Sequence, residues 1–139
     1  MLSSGSMEDR LLIRELVDSY NDAVMRFDGD AWSSNWAEDA VWNLPGAGEI
    51  AGREAILTVW QGAMSAFSFV GFFASAGPIV VNGESATGTW YQQEFLHGKD
   101  GGKRAVTGCY QDAYTKTDGR WYFQRRDYEV LHAEVTEPA

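Results

Sequence analysis

The feature that most constrains this chain is a change of periodicity at Phe69. Ahead of it, apolar residues recur at helical spacing. Behind it they alternate, and turn dipeptides interrupt the alternation. Leu12, Leu16, Tyr20, Val24 and Phe27, with Ser6 as N-cap and Asp9 three positions on, predict a helix over about residues 7–27. A short second helix over about 30–36 would set Trp32 and Trp36 one turn apart. A strand at 40–44 stops at Pro45-Gly46, and residues 48–52 read as a loop. A third helix over about 53–67 carries Ile56, Trp60, Ala63, Met64 and Phe67 on its inner side. Beyond Phe69, Asn82-Gly83, Asp100-Gly101-Gly102 and Asp118-Gly119 divide the chain into four long strands, about 69–81, 86–97, 103–116 and 121–132. Helices first and short-turned strands after predict an α+β fold. About three N-terminal helices pack in a curved antiparallel sheet, a cone-shaped half-barrel with a cavity between helix and sheet.

Length and composition bound this picture. The 139 residues, 45% of them apolar, suit one domain with a real core. Residues 7–133 form that domain, with 1–6 a flexible leader or cloning remnant and 134–139 a tail. A formal charge of -9 repels nucleic acid and anionic lipid. No apolar run spans a bilayer and no signal peptide is present, so the expected location is cytoplasmic. Cys109 is the one cysteine, which excludes an internal disulfide. It reads as a core thiol, the alternative being a nucleophile beside a base. No H-x-x-x-H pair, Cys/His cluster or carboxylate triad stands at metal spacing, and no glycine-rich loop opens a helix after a strand. Neither a metal nor any other cofactor is expected.

Three stretches carry a family resemblance: Tyr20-Asn21-Asp22-Ala23-Val24, Trp36-Ala37-Glu38-Asp39-Ala40-Val41-Trp42, and Tyr114 to Arg126 with Asp118-Gly119-Arg120-Trp121-Tyr122-Phe123 at its centre. Their order and spacing resemble the SnoaL-like branch of the nuclear transport factor 2-like superfamily. That resemblance implies the cone fold and an apolar pocket. The family's dehydratases and dehydrochlorinase abstract a proton with a histidine oriented by an aspartate. Counted onto this chain, the aspartate falls at Met25 and the histidine at Phe73, while the only histidines are His97 and His132. Met25 and Phe73 should then point into the cavity and make its deep end apolar. In ketosteroid isomerase, another relative, a helix-one tyrosine donates to an oxyanion. Tyr20 matches it, but the base position falls at Leu44 and the second donor near Gln111 or Asp112. Trp42 matches a pocket tryptophan, and Arg126 matches a cavity arginine able to hold a leaving anion.

Each remaining candidate has two readings. Asp28 is a base two turns beyond Tyr20 or a helix cap. Asp112, between Tyr110 and Tyr114 on one strand face, is a tuned acid or a hydrogen-bonded sheet residue. Arg126 faces the cavity or solvent, and Trp42 is pocket or core. Strand alternation sets Trp90, Gln92 and Glu94 on one face. His97 should be exposed beside a turn, and His132 could cap the cavity mouth. The predicted pocket comprises Tyr20, Met25, Trp42, Trp60, Phe73 and Arg126. Three functions fit: a module binding a small hydrophobic, aromatic or polycyclic molecule; a cofactor-independent lyase, isomerase or cyclase using Tyr20, Asp28, Asp112 and Arg126; or a non-catalytic subunit of a larger enzyme. The aromatic load of the strands predicts a homodimer through the outer sheet face, with a trimer as runner-up.

Overall fold

The computed structural model describes all 139 residues. Helix α1 (Met7–Met25) starts at Ser6, whose hydroxyl accepts from the Asp9 amide at 3.1 Å, an N-cap with acidic residues in the first turn. Its buried stripe of Ile13, Leu16, Val17, Tyr20, Ala23 and Val24 lies along the concave side of the sheet. Helix α2 (Gly29–Ser33) is a single turn, and α3 (Arg53–Met64) buries Ile56, Trp60 and Met64.

The strands are β1 (Trp36–Leu44), β2 (Gly48–Ala51), β3 (Phe67–Asn82), β4 (Ser85–Gly98), β5 (Lys103–Thr117) and β6 (Arg120–Thr136). They form one six-stranded sheet in the order β2-β1-β6-β5-β4-β3. The sheet is curved and unclosed, wrapped around α1, and the α+β cone expected from the sequence is present. Four details differ from the reading above. Residues 48–51 pair with β1 as a strand, because the Pro45-Gly46 turn folds the chain straight back. Trp36 opens β1 and is not helical. β1 runs parallel to β6, so the sheet is mixed at that edge. Residues 134–136 continue β6 beyond the expected tail boundary.

The turn chemistry is as the dipeptides require. Asp118 and Gly119 both take positive φ (51° and 78°), the two-residue hairpin geometry that suits Asp-Gly. Pro78 interrupts β3, an edge strand, where the ladder shifts register between Ala76 and Ile79. Residues 1–6 do not hang free: the Ser3 hydroxyl accepts from the Ile79 amide at 3.0 Å, and Ser4 bridges to Val80. No helix is long and apolar enough to cross a membrane.

The core is one cluster of 25 buried residues with an aromatic centre. Trp32 stacks on Trp60 at 4.6 Å and 10°, and meets Trp36 and Trp42 at 5.7 and 5.4 Å. Tyr20 sits among Trp32, Trp36, Phe72 and Phe123, all within 6.2 Å between ring centres. Aromatic side chains bury the largest areas per residue, so this cluster dominates what α1 and α2 contribute to the core.

Candidate functional site

The candidate groups lie on the concave wall of the sheet. A register shift between Ala113 and Tyr114 pairs Tyr114 with Phe123 and Asp112 with Arg126, so β6 holds one extra residue. Such a bulge switches which side chains face inward. Beyond it Arg126 points into the cone and is only 1% exposed. Asp112 clasps it through two hydrogen bonds, from Nε at 2.8 Å and from Nη2 at 3.1 Å. The Tyr114 hydroxyl donates to the same carboxylate at 2.8 Å and itself accepts from the Trp90 indole at 2.8 Å. The guanidinium lies over the rings of Tyr110, Phe123 and Tyr20 at 3.7, 4.3 and 4.7 Å. The Tyr110 hydroxyl accepts from the Trp42 indole at 3.0 Å.

Electrostatics follow from this geometry. Burial raises the Asp112 carboxyl above its usual range, with Arg126 and Tyr114 opposing. Burial also works against the Arg126 charge, but Asp112, Tyr20 and Tyr110 hold that arginine above its ordinary value. Burial pushes Tyr20, Tyr110 and Tyr114 upward, so these phenols stay protonated. The Asp112–Arg126 pair is therefore a held ion pair in an aromatic box.

A second polar group lies along the same wall. Glu94 on β4 stands opposite Phe72 of β3 and Val106 of β5, both buried, and so faces inward. Its carboxylate accepts from the Gln92 amide at 2.6 Å. Burial pushes the Glu94 carboxyl up to about 7, against the pull of Arg104 and of Gln92. Gln92 stands opposite Gly108, which is glycine for a reason: the Tyr128 ring lies directly over it, and a Cβ there would overlap the ring. Tyr128 meets Tyr110 in a tilted contact at 4.7 Å, and burial pushes its hydroxyl up to about 12. Three buried polar atoms along this wall have no partner: Gln92 Oε1, Tyr128 OH and Arg126 Nη1.

Of the predicted pocket, Tyr20, Trp42, Trp60 and Arg126 are brought together in the interior. Met25 and Phe73 are not, and the expectation that they line its deep end is corrected. Met25 closes α1 on its outer side, 41% exposed, one position past the buried Val24. Phe73 points away from the cone, 57% exposed, because strand alternation faces Phe72 inward, where it is 5% exposed against Tyr20. A one-residue slip on a strand exchanges the faces. Asp28 caps α2: its carboxylate accepts from the Ala31 amide at 3.0 Å and pairs with Arg26 at 3.0 Å. The Ala31 amide, then Arg26, hold its carboxyl below the usual range. Cys109 is buried, its thiol pushed up by burial and hydrogen-bonded only by the Gln111 amide at 3.7 Å, a poor nucleophile. His97 packs edge-on against Phe69 at 5.2 Å on the outer face, and the exposed His132 lies 3.4 Å from Glu134. Asp112 joins Arg126 on the wall, as the shared face of Tyr110, Asp112 and Tyr114 suggested. The burial of Glu94 is not read from the sequence, where its alternation with Trp90 and Gln92 on one strand face is the only signal.

Comparison with known proteins decides the family. Residues 5–127 match the SnoaL-like domain. The chain belongs to the SnoaL-like domain family. Several solved structures share the fold of this SnoaL-like chain. A candidate aromatic ring hydroxylase from Novosphingobium aromaticivorans is 26% identical, with TM-score 0.88 over 96% of each chain. A type 2 hexachlorocyclohexane dehydrochlorinase is 16% identical, with TM-score 0.86 over 96% of this chain and 92% of that one. A candidate scytalone dehydratase, also from Novosphingobium aromaticivorans, is 18% identical, with TM-score 0.85 over 92% and 87%. No curated protein matches the sequence.

Proposed function

We propose that the concave interior of this SnoaL-like domain receives a small hydrophobic molecule, aromatic or polycyclic, that carries a polar group. The supporting observation is the set of partnerless atoms Gln92 Oε1, Tyr128 OH and Arg126 Nη1 on one wall between aromatic rings. A buried polar atom left without a hydrogen bond costs about 1–3 kcal/mol, and a ligand that supplies partners recovers it. Tyr20, Trp42, Tyr110 and Phe123 supply flat apolar surface beside them. The names borne by the structural neighbours, an aromatic ring hydroxylase and a scytalone dehydratase, suit such ligands.

Titration with 2-naphthol, read by quenching of tryptophan fluorescence, tests this. Saturable quenching is expected, with naphthol about fivefold tighter than naphthalene, the worth of roughly one hydrogen bond. Linear, non-saturating quenching by both would sink the reading. A second reading, a cofactor-independent lyase or isomerase, is favoured by the inward carboxyl of Glu94 held near neutrality.

The same proposal places a second copy of the chain on the outer face of β3 and β4. Phe69, Phe73, Tyr91 and Phe95 are exposed side by side there. Contiguous aromatic surface of this kind marks association sites. Light scattering should give a dimer that Phe73→Lys dissociates; a monomer at micromolar concentration would refute it.

A further inference from the structure

The inner wall carries one ionisable group that the ion pair does not use. We infer that Glu94 is a general base, taking a proton from a carbon acid or oxygen acid bound against Tyr110 and Tyr128. The inference rests on the ligand reading above and extends it to chemistry.

The geometry is specific. Glu94 faces the cone between Phe72 and Val106, which strip water from it on both flanking strands. Gln92 Nε2 donates to Oε1 at 2.6 Å and fixes the orientation of the carboxylate, and the second oxygen has no hydrogen-bond donor. The charged and titratable groups facing it come from four elements. Arg104 on β5 and Gln92 on β4 favour the carboxylate. Tyr20 on α1, Tyr110 on β5 and Tyr128 on β6 lie within its electrostatic reach as neutral phenols. From β3 it meets the apolar ring of Phe72. Glu94 is half-buried rather than sealed. A carboxyl so placed changes protonation near neutral pH, where a base is most effective. In the reaction the C–H bond breaks and its proton forms the O–H bond on Glu94. The electron pair shifts to the electronegative end of the ligand, which Tyr128 OH and Arg126 Nη1 are free to meet.

The test uses the full chain and two probes. 5-Nitrobenzisoxazole needs only a base: its C3 proton leaves, the N–O bond breaks, and the pair ends on a coloured phenolate oxygen. The wild type should catalyse this elimination with a rate that rises through an inflection near pH 7. Glu94→Gln keeps the shape and removes the base, and the rate should fall roughly 10²-fold or more. Far-UV circular dichroism of the same variant should match the wild type, which separates loss of the base from loss of the fold. Gln92→Leu removes the donor that favours the carboxylate, so its inflection should move to higher pH while elimination persists. Naphthol binding without elimination, a pH-independent rate, or Glu94→Gln within threefold of wild type would overturn the base assignment and leave the ligand reading standing. Failure of both probes to bind would overturn the two together.

Discussion

Two polar groups share the inner wall of one sheet, and they are built differently. Around Arg126 nearly every bond is closed: Asp112 takes two hydrogen bonds from it, Tyr114 bonds Asp112, and Trp90 bonds Tyr114. Around Glu94 the network is open: one bond from Gln92, and two nearby polar atoms, Gln92 Oε1 and Tyr128 OH, with none. A closed buried network holds one geometry, because breaking any member leaves another stranded. An open one leaves stability unclaimed until something binds. The difference separates a closed framework from the open group to which the proposed ligand is assigned, although both look alike as polar residues on strands.

The contrast makes graded predictions. The largest effect should come from Asp112→Asn, which strands the Arg126 charge in the core. Unfolding in urea should show a loss of about 3–5 kcal/mol, and a loss under 1 kcal/mol would mean the pair is not the framework described. Next is the pH dependence of stability. The Glu94 carboxyl sits at about 7 in the folded chain against 4.5 as its ordinary value. Between those values the folded state holds the extra proton, so stability rises as pH falls from 7 toward 4.5. The gain on acidification should reach about 3 kcal/mol at most, discounted for partial exposure. Glu94→Gln should flatten this slope, and an unchanged slope would assign it to another group.

A smaller effect distinguishes two tyrosines. Tyr114→Phe breaks bonds to Asp112 and Trp90 and should cost about 1–3 kcal/mol. Tyr128→Phe removes a hydroxyl that bonds nothing and should be neutral or stabilising by about 1 kcal/mol without ligand. Equal losses in thermal denaturation would erase the contrast between the two networks. The smallest effect is at Asp28, whose role is a cap. Asp28→Ala should cost about 1 kcal/mol, and thermal melts showing no change would remove even that role.

What was legible in the sequence is what local chemistry dictates. The Ser6 cap, the apolar stripe from Leu16 to Val24, and the Asp118-Gly119 turn each depend on residues a few positions apart. Their physics is complete within the segment. The alternation of Tyr110, Asp112 and Tyr114 could also be read, because β5 stays in phase through those residues. Strands 48–51 and the parallel β1–β6 pairing could not, since a short polar segment becomes a strand only when a partner offers its backbone.

The site failed to be legible where phase was at stake. Strict alternation from Trp121 and Phe123 would put Arg125 inside and Arg126 outside. The bulge opposite Ala113 and Tyr114 reverses this, leaving Arg125 to pair with Glu49 and Asp127 at the surface. Counting along β3 missed by one residue and exchanged Phe72 for Phe73. Glu94 is an ordinary carboxylate in the sequence; only burial between Phe72 and Val106 changes its proton affinity. The sequence by itself determined the long helices, the four long strands and their order, because periodicity and turn residues act locally. Apart from Arg126, which the family resemblance already set in the cavity, only the tertiary structure decided which charges enter the interior, because register and desolvation exist only between strands.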